Sequence, residues 1–134
     1  MDKEEHITYW INSADHDLDV AETLFQSGKY DWCLFLGHLV LEKMLKALFV
    51  KVHGNKLPPR THNLVRLAEL CNISLSEEQE LFLDKVSDFN LEIRYPDYRQ
   101  KFYEKCTYDL TLKYFTRIKE FYRWFHSLLE SEEQ

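Results

Sequence analysis

Residues Tyr30 to His53, YDWCLFLGHLVLEKMLKALFVKVH, decide the fold. Trp32, Leu34, Phe35, Leu36, Leu39, Val40, Leu41, Met44, Leu45, Ala47, Leu48, Phe49 and Val50 leave little room for a wet face. A helix that is apolar all round is a central one, covered by neighbours on several sides. Its few polar residues are therefore informative. His38, Glu42 and Lys46 fall at i, i+4 and i+8, on one stripe, with Lys43 beside it. Two readings stay open. Glu42 pairs with His38 or Lys46 and keeps one edge wet, or the stripe faces a shared pocket whose groups must be paired to be tolerated.

The flanking sequence is helical too. Ile7, Trp10, Ile11, Ala14, Leu18, Ala21, Leu24 and Phe25 recur at three- and four-residue steps, predicting a helix from about Glu4 to Gln26 that Ser27-Gly28 ends. Asp15, Asp17 and Asp19 lack the glycine of a calcium loop and read as a solvated face. Asp31 is the expected cap of the central helix, with the first turn near Trp32, and Gly54-Asn55 its stop. Pro58-Pro59 marks an extended connector over 54–60. Thr61 is the expected N-cap of a short helix, His62 to Leu70. Ser76 with Gln79 forms a capping box for a helix carrying Leu81, Phe82, Val86, Phe89 and Ile93. Arg94-Tyr95-Pro96-Asp97-Tyr98 breaks the pattern, because Pro96 biases Tyr95 away from helix. A last helix is predicted from about Arg99 to Leu129, with an apolar stripe from Phe102 through Cys106 and Leu110 to Leu128, and the terminal SEEQ is expected to fray. No period-two strand pattern or repeat occurs.

The expectation is an all-α chain: an up-down antiparallel four-helix bundle with one additional short helix. At 134 residues, one domain over 1–134 is expected, with a core from about 5 to 129. The formal charge of −6 argues against a general nucleic-acid coat protein. Charge is uneven, however. Residues 94–126 hold eight Lys/Arg against four acids, so an anionic ligand belongs with the C-terminal third. Cys33, Cys71 and Cys106 are scattered without zinc spacing, and Cys33 and Cys106 sit among apolar residues as core fillers. The charged opening MDKEEHITYW has no signal-peptide core, and charges interrupt the central apolar run, so a cytoplasmic chain without a membrane span is expected.

No glycine-rich phosphate loop, GxSxG or HExxH occurs, and no second Glu-x-x-His completes a di-iron site. No catalytic residue, metal ligand or cofactor is assigned. Three polar islands remain: the stripe His38/Glu42/Lys43/Lys46, the cap Thr61-His62-Asn63, and Asn90 with Arg94-Tyr95-Pro96-Asp97-Tyr98. Each has an ordinary structural use. Thr61-His62-Asn63 can simply start a helix, and Arg94 can simply pair with Asp97 or Glu42. Yet an Arg fork beside a helix N-terminus, with Lys43 or Lys46 across a groove, suits a phosphate. Tyr95 and Tyr98 could stack a base.

In this order the islands resemble the HEPN family (higher eukaryotes and prokaryotes nucleotide-binding domains). The matching pieces are Trp10, Ala14, Asp17-Leu18, Ala21 and Leu24; His38, Glu42-Lys43 and Lys46-Ala47-Leu48; Thr61-His62-Asn63-Leu64; and Arg94-Tyr95-Pro96-Asp97. They span about residues 5 to 126, and RYPD after the EK-x-x-K helix is similar to the stand-alone prokaryotic branch. The resemblance implies a helical bundle, often a homodimer, that partners a minimal nucleotidyltransferase in a toxin–antitoxin or defence setting. Some relatives are metal-independent RNases whose signature Arg is followed four to six residues later by His. Here Arg99, Gln100 and Lys101 stand where that His would fall, and the next His is His126. Arg and Lys are poor general bases at neutral pH.

The expected function is thus a non-catalytic module binding a nucleotide or RNA phosphate. Its candidate residues are Arg94, Lys43, Lys46, His38, Glu42, His62, Asn63, Asn90, Tyr95, Tyr98 and Arg99. One alternative is an RNase borrowing His38 or His62 as base. Another is a structural partner docking through Phe121, Tyr122, Trp124 and Phe125.

Overall fold

In a computed structural model, residues 1–131 are described. They form six helices: α1 (Lys3–Gln26), α2 (Tyr30–His53), α3 (Leu64–Leu70), α4 (Glu77–Arg94), α5 (Pro96–Lys105) and α6 (Tyr108–Glu130). The four long ones make the bundle and α3 and α5 are short. Of the terminal SEEQ, all but Ser131 lies outside the described residues.

Fourteen of the 24 residues of α2 are buried, and they face every other helix, so its all-round apolarity does place it centrally. Each fully buried Leu here contributes about 1.5–3 kcal/mol by leaving water. The three-residue turn after Gln26 makes α1 antiparallel to α2. Phe82 meets Phe121 and Phe89 meets Tyr114, so α4 and α6 are antiparallel as well. Gly37 lies against Ile118, and Lys51 donates to the Leu128 and Leu129 carbonyls at 2.8 and 3.1 Å. α2 and α6 are therefore parallel and in contact, the short diagonal of a flattened bundle. Gly37 permits this approach, because a Cβ there would stand 2.8 Å from Ile118 Cδ1. Gly54, left-handed at φ 69°, ends α2.

Several local expectations change. Lys29, not Asp31, is the N-cap of α2, and it caps without a side-chain bond. Asp31 is buried inside the first turn, while Trp32 is 43% exposed. Asn63, not Thr61, caps the short helix by accepting from the Arg66 N–H, and the helix starts at Leu64. The Ser76/Gln79 capping box is present. The expected last helix is two. It breaks at Cys106, and Thr107 caps α6 by accepting from the Leu110 N–H. The Arg94–Tyr98 break is tighter than a loop: Tyr95 alone separates α4 from α5, whose first residue is Pro96.

The aromatic end of α6 is not an open face. Phe121 and Phe125 are buried and Trp124 packs edge-on against Phe121. The three thiols are buried, and burial pushes each up to about 12, as suits fillers.

Candidate functional site

The polar stripe of α2 faces the connector before α3 and the end of α4. His38 and Glu42 are buried, at 0% and 5% exposure. His38 Nε2–H donates to the His62 carbonyl at 2.9 Å. A carbonyl only accepts, so this contact fixes the His38 tautomer and leaves Nδ1 a bare lone pair, buried without a partner among the described residues. Burial lowers the His38 pKa, against the opposing pull of that hydrogen bond and of Glu42, so the ring is neutral. At 3.9 Å its approach to Glu42 is therefore not an ion pair.

Glu42 is the hub. Its Oε1 accepts from His62 Nδ1–H at 2.7 Å and its Oε2 from Lys46 at 3.0 Å. Burial alone would raise this carboxyl. The bonds from His62 and Lys46, with the field of Lys46, outweigh burial and hold the pKa below its ordinary value. An ionised Glu42 keeps the His62 proton on Nδ1 and turns Nε2 outward as an acceptor. That nitrogen lies 3.5 Å from Arg94 Nη2, a long contact at the surface. The His62 side chain is 46% exposed. Lys46 also sits 5.3 Å over the Trp10 ring, so α1 supplies one wall.

Arg94 pairs with neither Asp97 nor Glu42; among the described residues it makes no carboxylate contact. Asn90, one turn earlier on α4, is buried, and its Oδ1 has no partner among the described residues. It lines a cleft of about 320 Å³ with His62, Asn63, Asp84, Ser87 and Asp88. Five candidates are committed elsewhere or stand apart. Lys43 turns toward α1 and donates to Asp17 at 2.6 Å. This also corrects the solvated reading of Asp17, which is buried. Asn63 spends its side chain as a helix cap. Arg99 Nε–H caps α4 by donating to the Ile93 carbonyl at 2.9 Å. Tyr95 and Tyr98 are exposed on the α4–α5 break and α5. Sequence reasoning missed Trp10 as a wall. Its signals were a large indole on the α1 stripe and its place among the residues that carry the resemblance; the contact with Lys46 is tertiary.

The assembled group is a buried carboxylate, a lysine it neutralises, an outward imidazole acceptor and an exposed guanidinium. Such a set can hold an anion at Arg94 and accept a proton at His62. His38, sealed inside, can do neither. Among the described residues no group of three or more His, Cys, Asp or Glu is arranged for a metal ion, and no helix is long and apolar enough to cross a membrane.

A helical bundle with a polar site between its central helix and the end of a neighbour is the class these features define. The chain belongs to the HEPN family: the model described as HEPN domain matches residues 7–129. Searches of curated proteins and of solved structures find no match. Membership is consistent with a nucleotide- or RNA-related module.

Proposed function

We propose that this protein is a nucleotide- or RNA-phosphate-binding module whose anion site is centred on Arg94. The observation that carries this is the guanidinium itself: exposed, without a carboxylate partner among the described residues, and beside an imidazole turned outward by Glu42. Arg94 presents a planar fork suited to two phosphate oxygens. Lys46 adds positive field but is already bonded to Glu42, so its direct share is smaller. His62 and Asn90 contribute at the rim. The resemblance supports a homodimer that associates with a minimal nucleotidyltransferase, in a cytoplasmic toxin–antitoxin or defence setting. Calorimetry with ATP and with a short RNA tests the site. Arg94→Ala is expected to abolish measurable binding while the helical circular-dichroism signal stays intact. Equal binding by variant and parent would reject the assignment.

A second reading, metal-independent RNA cleavage, is favoured by the 2.7 Å Glu42–His62 contact. It supplies from the α2–α3 connector a base that the stretch after Arg94 lacks. In this reading His62 Nε2 takes the 2′-OH proton, O2′ bonds to phosphorus, the P–O5′ bond breaks, and the departing oxygen takes a proton from water. Cleavage in the presence of a chelator, lost in His62→Ala and kept in His38→Ala, is its expected signature. An intact RNA after long incubation with the parent protein removes it.

A further inference from the structure

A second feature lies at the start of α2, about two turns before His38. Asp31 stands in the first turn of the helix and is only 7% exposed. Its carboxylate makes no hydrogen bond or ion pair among the described residues. An aspartate under such cover is nearly always paired. The orphaned atoms of His38 and Asn90 are sealed in, and those of Asp31 are not. They open on a cavity of about 300 Å³ lined by Gly28, Tyr30, Asp31, Tyr103, Glu104 and Cys106.

Among the described residues nothing supplies the missing partner. Lys29, two residues before, makes no side-chain bond, and Lys105, next to the lining, turns to Glu92 at 3.5 Å. The positive end of the α2 dipole makes a negative charge tolerable there, but it uses none of the oxygen lone pairs. Burial first, and then the Asp31 carboxylate, push the Cys106 thiol up to about 12, so the charge is felt across the cavity. The walls suit a planar cation. Tyr30 is held by Phe25 and Tyr108, with ring centroids 5.7 and 6.1 Å away. Tyr103 of α5 is 59% exposed, and Glu104 beside it accepts from Gln100 at 3.2 Å. Gly28 leaves the mouth open, because a Cβ there would meet nothing within 4 Å.

A guanidinium is flat, gives two parallel N–H groups to one carboxylate, stacks on phenol rings and is more weakly hydrated than an ammonium. A divalent ion fits worse, since it needs about six oxygens and the lining offers two carboxylates. We propose that this cavity is a guanidinium-binding site. Asp31 takes the fork, Glu104 the remaining N–H groups, and Tyr30 and Tyr103 the faces. The guanidinium belongs to a free guanidino compound or to an arginine side chain of a peptide. The site shares no residue with the Arg94 cluster and does not rest on the anion reading.

Calorimetry on the full chain tests it with agmatine, a capped glycine–arginine–glycine peptide, butylamine and urea, with circular dichroism as a control for folding. Agmatine or the peptide is expected to bind. Butylamine carries the charge without the fork, and urea the fork without the charge, so both are expected to bind roughly tenfold more weakly or worse. Asp31→Asn keeps the shape, removes the charge and is expected to weaken binding roughly tenfold or more. Tyr103→Ala and Glu104→Gln, at exposed positions, are each expected to weaken it severalfold, and they read the site even where Asp31→Asn does not fold. Tighter binding of agmatine than of the peptide supports a free compound as the ligand, and the reverse supports a peptide. No heat from either at millimolar concentration overturns the site. Binding unchanged in a folded Asp31→Asn, or in both Tyr103→Ala and Glu104→Gln, overturns it too. Butylamine binding as tightly as agmatine overturns the choice of a guanidinium. Calorimetry with ATP on the same variants reads the Arg94 site separately, and its affinity is expected to stay within twofold.

Discussion

The polar cluster has a closed end and an open end, and one histidine stands in each. His38 and His62 lie with ring centroids 6.2 Å apart and share the same carboxylate neighbour. Their surroundings make them different reagents. His38 sits on the central helix under full cover, neutral, its one proton given to a backbone carbonyl. His62 sits on a connector, and Glu42 holds its proton inward, so its lone pair faces Arg94 and water. The closed end fixes the connector to α2; the open end can meet a ligand. Residue type alone did not assign these roles. Cover and the direction of one hydrogen bond did.

Substitutions can pull the two ends apart. The largest expected effect is on stability, from the closed end. His38→Ala removes a buried side chain and leaves the His62 carbonyl without its donor, which costs about 2–4 kcal/mol in urea unfolding. At the open end the effect moves from folding to binding. Arg94→Ala is expected to lower affinity for ATP or RNA at least tenfold, since a hydrogen bond to a charged group contributes about 1.5–3 kcal/mol. Unfolding should change by no more than about 0.5 kcal/mol.

Acidification separates the ends in another way. The His38 pKa is lowered in the folded state from 6.5, so the unfolded chain binds its proton first. Stability is then fully present above pH 6.5 and is lost as pH falls through the lower folded value. Glu42, lowered from 4.5, adds a second loss below pH 4.5, of the same sign. Thermal melts from pH 8 to 4 should show the first loss in the parent and not in His38→Gln. The smallest effect on binding concerns a lysine beside the cluster in sequence only. Lys43→Ala should leave ligand affinity within twofold, its cost falling on stability instead, because it strands the buried Asp17 carboxylate without its partner.

Much of this was legible in the chain. The apolar run of α2 gave its central place, and the i, i+4, i+8 spacing put His38, Glu42 and Lys46 on one face. Arg94 stood out because a proline two residues on had to end its helix. Lys43 was misread because 100° of helical turn separates it from Glu42. On a helix covered all round, that turn leads from one neighbour to another, and the neighbour's identity is tertiary information. Asp17 looked solvated because its partner lies 26 residues away. The α5–α6 break hid behind Phe102, Cys106 and Leu110, whose four-residue steps run across it in register, although Thr107 with its free hydroxyl is a good cap. His62 as an oriented group could not be read at all, since its orientation rests on a single contact with a helix 20 residues earlier.

The central claim is that the anion meets Arg94 and His62 and not the sealed end. Histidine side-chain nitrogen NMR during a titration with AMP tests it most directly. The account predicts that His62 Nε2 shifts as ligand is added, that His38 stays put, and that Arg94→Ala removes the shift. An unmoved His62 at saturating ligand, or a shift that survives Arg94→Ala, would contradict it.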